Sequence, residues 1–264
     1  MLVIGKNPVY EILTSNPGYI NKIVLLKKIK PEGKLKDIVN IAKEKSVNTM
    51  FLNFNDFKKY FDNKTKDEGI TQGVIAFVKD YDYRSLREIV DDCKKIKNPL
   101  ILILDNITDP HNLGAIARSA VCLGADGIVI PRHNAAEVNH TVMKTSSGAV
   151  SYISIAKETN LTNAIELLKN NGFWIFGTDL VTTKTIFETD FKVPAALVIG
   201  SEGTGIRKTL LDKCDHIVRI PMAGKISSLN ASVSAAVFMY EIFQTEECLV
   251  FFDFAWCRNI VLSH

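Results

Sequence analysis

Three short segments in the C-terminal half gather the side chains whose types and spacing could do chemistry. The first is Asp105-Asn-Ile-Thr-Asp-Pro-His-Asn-Leu-Gly-Ala-Ile-Ala-Arg118. Asp109 followed by Pro110 makes a helix N-cap and first turn, and Asn112 in that turn has an amide that can orient a ligand. Arg118 lies off the apolar stripe of the same helix, with Gly114 one turn beneath it, which predicts open surface under the guanidinium. A capped surface helix with a solvated arginine has the same spacing. The second segment is Ala196-Leu-Val-Ile-Gly-Ser-Glu-Gly-Thr-Gly-Ile206. A strand ending in glycines lets backbone approach a ligand closely and present its N–H groups, and Glu202 could accept bonds from a ligand or from nearby backbone. This is not a nucleotide P-loop, because Ile206 and Arg207 stand where Lys and Ser/Thr are required. Nor is it G-x-G-x-x-G, because Lys208 takes the last glycine position. The third segment is Ile220-Pro-Met-Ala-Gly-Lys-Ile-Ser-Ser-Leu-Asn-Ala-Ser-Val-Ser-Ala-Ala236. Ser227, Ser228, Asn230 and Ser232 crowd short hydrogen-bonding groups at a helix start, where they can cap the helix or hold a polar or anionic ligand.

The elements that must position these segments are legible as alternating runs. Leu100–Leu104 is a continuous apolar stretch of the kind covered on both faces in a parallel sheet. Similar runs recur at Gly127–Ile130, Phe173–Gly177, Ala195–Gly200 and Ile217–Ile220, with helical patterns between several of them, as at Leu161–Asn170. The helix after Asp109 is predicted to bury Leu113, Ile116, Ala117, Ala120 and Leu123 and to stop at Gly124. This alternation predicts an open, mostly parallel α/β sheet, whose ligands bind beyond the carboxyl ends of the strands. The chemical segments fall at those ends. Residues 1–77 read as a separate small α/β unit, with strands at Lys22–Leu26, Thr49–Leu52 and Gly73–Lys79 and a helix over Lys34–Lys45. A polar stretch over 78–98, including a helix around Leu86–Lys94, is expected to connect it to a domain over 99–247. An aromatic tail over 248–264 is left without an assignment.

Composition narrows the classes. With 47% hydrophobic and 23% charged residues the chain is globular rather than disordered. No apolar run approaches the ~20 residues of a membrane span, and the N-terminus lacks the pattern of a signal peptide. The five cysteines and five histidines are scattered without metal-ligand spacing, so no metal is expected. An odd number of cysteines suits reduced thiols in a cytoplasmic protein. Residues 1–77 hold 13 lysines, no arginine and 8 acidic residues, a net +5 against +3 for the whole chain. A lysine-rich first third suits a phosphate backbone as partner, and it equally describes a solvated surface.

Taken together the three segments resemble the motifs of the SpoU (TrmH) branch of the SPOUT methyltransferases: D-P-x-N-x-G-x-I-x-R, then I-G-S-E-G-x-G, then I-P-M-x-G-x-x-S-S-L-N-x-S-V. Residues 1–77 resemble the family's substrate-binding domain, an L30e-like α/β fold shared with certain ribosomal proteins, through G-K-N-P-V-Y-E-I-L and T-Q-G-V-I-A. Two departures are Thr71, where the pattern has His, and Ala231, where it has Val. The resemblance implies a C-terminal domain tied in a deep trefoil knot, a feature that ordinary chain topology excludes, and a homodimer with sites near the subunit interface. It implies S-adenosylmethionine as cofactor, with Gly200, Ile220 and Leu229 cradling the adenosine, Met222 nearby, and Gly203 and Thr178 as further contacts.

The implied reaction is attack of an RNA ribose 2′-hydroxyl on a sulfonium methyl, which needs help in losing the hydroxyl proton. By resemblance Arg118 gives that help. A guanidinium is a poor base in water, so the role divides between a proton acceptor assisted by RNA and a purely electrostatic partner. Asn112, Glu202, Ser228 and Asn230 would position Arg118, the ribose and the cofactor. The sub-family most resembled acts on a guanosine in the peptidyl-transferase region of large-subunit (23S) rRNA. A tRNA guanosine, an rRNA adenosine tied to antibiotic resistance, and a non-catalytic RNA-binding assembly factor are the alternatives.

Overall fold

In a computed structural model, residues 2–15, 17–29, 32–60, 72–179, 182–224 and 228–247 are described. Thr71, Ser227 and the 248–264 tail, all named above, lie outside the described residues. The chain forms two compact units, Met1–Asp82 with Glu137–Tyr152, and Tyr83–Ala136 with Ile153–His264.

The first unit is built on strands β1 (Leu2–Ile4), β2 (Ile20–Leu26), β3 (Thr49–Leu52) and β4 (Val74–Val78), in the order β1-β4-β2-β3. β4 runs antiparallel to both β1 and β2, while β2 and β3 are parallel. The parallel pair is joined through helix α2 (Lys34–Glu44), as a parallel connection requires. β2 is apolar on both sides because both faces are covered. Ile23 and Leu25 pack with Leu13 of α1 (Lys6–Ser15) and Leu35 and Ile38 of α2, while Val24 and Leu26 pack with Phe57 of the short α3 (Phe54–Lys58).

Tyr83 begins the second unit, and the helix expected near 86–94, α4 (Leu86–Cys93), packs within that unit's core. It opens on a capping box in which Ser85 and Glu88 satisfy each other's backbone donors. The sheet has the order β10-β8-β9-β5-β6-β7, and every pairing in it is parallel. Its strands are β5 (Leu100–Asp105), β6 (Gly127–Pro131), β7 (Ser154–Glu158), β8 (Trp174–Thr178), β9 (Ala195–Gly200) and β10 (His216–Val218). α4 buries Leu86, Ile89 and Val90 against one face, beside Ala164, Ile165 and Leu168 of the helix expected at Leu161–Asn170, here α7.

Two further helices, α5 (Pro110–Cys122) and, beyond the short α8 (Lys208–Leu211), α9 (Ala231–Glu247), pack against each other, and α9 also contacts β9. α5 starts where Asp109 accepts the His111 N–H at 2.8 Å and ends ahead of Gly124, whose φ of +75° suits a glycine. It buries Leu113, Ile116, Ala117 and Ala120 as expected, but Leu123 is only half-buried. As the cap residue it has left the helical stripe. Gly114 is itself buried, which corrects the open surface expected beneath Arg118. Between β6 and β7 the chain supplies α6 (His140–Thr145) to the first unit, where Lys144 lies 4.0 Å from Glu11. β5 is the switch point of the second sheet. Later strands β6 and β7 are added on one side of it and β8 to β10 on the other, which opens a crevice at the carboxyl ends of β5 and β9.

Candidate active site

The three segments meet at that crevice. β9 ends at Gly200, directly opposite Asp105 at the end of β5, and the chain then turns back on itself. The Gly205 N–H donates to the Ser201 carbonyl at 2.9 Å, and the Ser201 and Thr204 hydroxyls lie 2.8 Å apart. A Cβ on Gly200 would stand 2.1 Å from the Gly205 carbonyl carbon and 2.3 Å from the Ile206 nitrogen. Both are backbone atoms, so only glycine fits. Gly205 sits at φ +66°, the left-handed region that completes the reversal.

This turn carries Glu202 to the heads of two helices. Glu202 Oε1 accepts the Asn112 amide at 2.9 Å and the Ala231 N–H at 3.5 Å, and the Asn230 amide also donates to it. Asn230 Nδ2 donates in addition to Asn112 Oδ1 at 3.0 Å. The other end of the Asn230 side chain caps α9, its Oδ1 accepting the Ser232 and Val233 N–H groups at 2.9 and 3.3 Å. Each amide is thereby fixed in orientation, with oxygen and nitrogen committed to different partners. The crowded polar cluster at the start of α9 thus does two jobs, capping the helix and tying it to the glycine-rich turn.

A cavity of about 460 Å³ lies beside this junction, within the usual range for small-molecule sites. Ile199, Val218 and Phe238 give it apolar wall, and residues 200–206 form one side. All six residues expected to contact a cofactor line it: Thr178, Gly200, Gly203, Ile220, Met222 and Leu229. Ser228 and Glu202 line it too. The structure therefore brings Glu202, Asn112 and Asn230 into direct contact and sets Glu202 and Ser228 on the cavity. Arg118 is exposed on α5, apart from the residues of that lining.

Two residues here had been given no role from sequence. The Asp105 carboxylate is fully buried and accepts two hydrogen bonds from Arg207, whose Nη2 also lies 2.7 Å from it. Asp105 opens the first segment and Arg207 follows the second, so both were on view. Nothing in the spacing pairs residues 102 positions apart. The thiols of Cys93 and Cys214 are pushed up to about 12, by burial first, which makes them inert packing groups at neutral pH. Among the described residues no group of three His, Cys, Asp or Glu side chains gathers in a way that could hold a metal ion. No described helix is long and apolar enough to cross a membrane.

Comparison with known proteins bears on the same regions. Residues 99–240 match the SpoU rRNA methylase family, and residues 2–84 match the RNA 2′-O ribose methyltransferase substrate-binding family. A Bacillus subtilis (strain 168) protein assigned to the TrmH family of tRNA/rRNA methyltransferases, YacO, is 39% identical over 92% of this chain and 94% of its own length. A Staphylococcus saprophyticus protein of the same description is 37% identical over 92% and 95%. Among solved structures, the SpoU methyltransferase AviRb from Streptomyces viridochromogenes in complex with the cofactor AdoMet superposes with a TM-score of 0.68. It is 25% identical, and the match covers 93% of this chain and 90% of that one.

Proposed function

The chain belongs to the SpoU family of RNA methyltransferases, and from that membership we propose that it transfers a methyl group from S-adenosylmethionine to a ribose 2′-hydroxyl of large-subunit rRNA, at a guanosine of the peptidyl-transferase region. The observation that carries the reading is the convergence of Thr178, Gly200, Gly203, Ile220, Met222 and Leu229 on one cavity, with the Asn112–Glu202–Asn230 contacts at its edge.

The residues present fit the cofactor. A Cβ at Gly200 would strike backbone, so the cavity wall there is bare main chain that a ligand can approach closely. The apolar wall of Ile199, Val218 and Phe238 suits an adenine ring. Gly200, Ile220 and Leu229 would hold the adenosine, with Met222, Gly203 and Thr178 around it. Bound there, the cofactor supplies an electrophilic methyl on a sulfonium centre. The protein's part is to present the ribose in line with that methyl and to manage the hydroxyl proton. Arg118 takes the proton or balances the developing charge. Ser228 and Asn230 orient the ribose, and Asn112 and Glu202 hold Asn230 in register.

Two further features belong to this reading. α5 and α9 share an apolar groove lined by Ala115, Leu123, Val233, Ala236, Val237 and Tyr240, in which Val233 and Tyr240 remain 46% and 49% exposed. A second copy of the chain seated there would bury both and set the exposed Arg118, three residues along α5 from Ala115, at the edge of the dimer interface. The return of the chain from edge strand β10 to lay α9 against β9 and α5 is in keeping with a knotted path. For the substrate, the lysine-rich first unit and its match to a substrate-binding family favour RNA read by shape and phosphate contacts.

The test is methyl transfer from labelled S-adenosylmethionine to unmodified 23S rRNA and, in parallel, to unmodified tRNA, followed by mapping of the modified ribose. Label on a peptidyl-transferase guanosine is the expected result. Label on tRNA alone overturns the substrate assignment but not the chemistry. RNA binding with no methyl transfer to either overturns the enzyme reading.

A further inference from the structure

The glycine-rich turn that lines the cavity is closed by one buried carboxylate. The turn leaves β9 at Gly200, whose register partner on β5 is Asp105, and it ends at Arg207, which returns to that same Asp105. Arg207 reaches it three ways. Its backbone N–H donates to Oδ2 at 2.8 Å, its Nε donates to Oδ1 at 2.8 Å, and its Nη2 lies 2.7 Å from Oδ1. Asp105 has no exposed surface, whereas the Arg207 side chain is 49% exposed. A carboxylate buried this deeply is tolerated because its oxygens are satisfied by charge-assisted donors.

Contacts on either side of Arg207 make this more than a local ion pair. Ile206 and Leu210 are buried in the core under the sheet, and the Leu210 and Leu211 N–H groups bond to the Arg207 carbonyl. The chain after the turn is therefore fixed. The turn itself, Glu202 to Gly205, is exposed, and among the described residues it is held by the Ser201–Gly205 and Ser201–Thr204 contacts and by the bonds that Glu202 makes. Its two ends meet at Asp105. The turn lines the cavity and also carries Glu202 to Asn112 and Asn230.

We infer that Asp105 and Arg207 are positioning residues that clasp the turn shut, setting the backbone wall of the cofactor cavity and the placement of Glu202 in one step. The inference rests on the reading of that cavity as the S-adenosylmethionine site. Neither side chain needs to touch a ligand. Displacement of the turn by an ångström would move both the backbone wall and Glu202, and misplacement on that scale is enough to cost roughly a hundredfold in rate.

The experiment measures S-adenosylmethionine affinity by calorimetry, RNA affinity by filter binding, and the KM for each substrate, on wild type and on Asp105→Asn, Arg207→Gln and Arg207→Lys. Circular dichroism on the same samples reports the fold. Wild type comes first, because failure to bind S-adenosylmethionine there sinks the cavity reading itself before any variant is made. With wild type binding, Asp105→Asn and Arg207→Gln should raise the cofactor Kd and KM roughly tenfold or more while leaving RNA affinity unchanged. Arg207→Lys, which keeps the backbone donor and a cation, should lie between them and wild type. Folded variants that bind cofactor like wild type overturn the clasp, and so does loss of the fold in both Asp105→Asn and Arg207→Gln, because the pair would then be a structural tie and nothing more.

Discussion

The two units use their sheets in opposite ways. In the second, six parallel strands put all their carboxyl ends at one end of the sheet, and the crevice beside β5 collects side chains from three distant segments within hydrogen-bonding reach. In the first, antiparallel and parallel pairings are mixed, so carboxyl ends fall at both ends, and both faces of β2 are spent on packing. What that unit offers outward is side-chain character: lysines, with Lys22 set 4.4 Å from the Phe77 ring centre and 5.4 Å from that of Tyr60. Parallel order converges groups on a point, as chemistry needs, while a lysine-bearing surface suits the diffuse contacts of an RNA backbone. On this contrast, lesions in the second unit should change turnover or cofactor affinity, and lesions in the first should change RNA affinity alone.

The largest expected effect is at Arg118. Arg118→Ala should lower the rate of methyl transfer by about 10²–10⁴-fold, the usual range for loss of proton-transfer or charge-stabilising help. Calorimetric affinity for S-adenosylmethionine should stay at the wild-type value. A variant that loses cofactor binding instead would place Arg118 in the cavity's support and blur the contrast. Next comes Gly200→Ala, whose methyl must displace the Gly205 and Ile206 backbone. Overpacking of about 1–3 kcal/mol, expressed through the cavity wall, would weaken cofactor binding by roughly 5- to 150-fold. Gly18→Ala in the first unit is the control, because a Cβ there meets nothing within 4 Å and Gly18 is not part of the cavity lining. It should bind within a few-fold of wild type, and equal losses in the two variants would show that space is not the reason for glycine at 200.

How much of this was legible in the sequence depends on the distance over which each feature is decided. β9 spans Ala195–Gly200, as its residues imply, because burial on a sheet stamps itself locally on an apolar run, and β3 spans Thr49–Leu52 as expected although Met50 and Phe51 stay exposed. β7 (Ser154–Glu158) escaped notice because it is an edge strand, with Ser154, Lys157 and Glu158 only half-buried. β10 closes at Val218, two residues before the apolar run does, because Arg219 instead bridges Thr185. Most of the candidate site residues, Thr178 apart, sit in short motifs that a sequence displays directly. The Asp105–Arg207 pair depends on β5 lying beside β9, which a strand order decides and a motif does not. For the same reason, nothing local announced that Glu137–Tyr152 belongs to the first unit.

A smaller effect tests the first unit. Lys22→Ala removes a cation held against two rings on the sheet surface, and loss of one phosphate contact should raise the KM for RNA by a few-fold, roughly 2 to 5, and flatten its dependence on salt. The Kd for S-adenosylmethionine should not move. A change in cofactor affinity of the same size would break the division of labour between the units, whereas an unchanged salt slope would take Lys22 out of the RNA surface and leave that division standing.

The smallest effect is a pH dependence confined to the first unit. His140 opens α6, and its Nε2 is buried without a hydrogen-bond partner among the described residues. Burial holds its pKa below the ordinary 6.5. Lys144 one turn along pushes the same way, and Glu11 across on α1 partly opposes them. The unfolded chain therefore takes up a proton at a pH where the folded chain still resists it. Stability contributed here is complete above about pH 6.5 and declines as pH falls below it, toward the depressed folded value. Amide exchange over His140–Thr145 at pH 7.5 and 5.5, corrected for the intrinsic rate, should show protection lost at the lower pH in wild type but retained in His140→Gln, whose side chain does not titrate. Protection over β5 and β9, whose strand contacts involve no such group, should respond to that pH change identically in the two proteins. If the variant loses α6 protection as wild type does, a carboxylate such as Glu11 governs the docking of α6, and the histidine is a bystander.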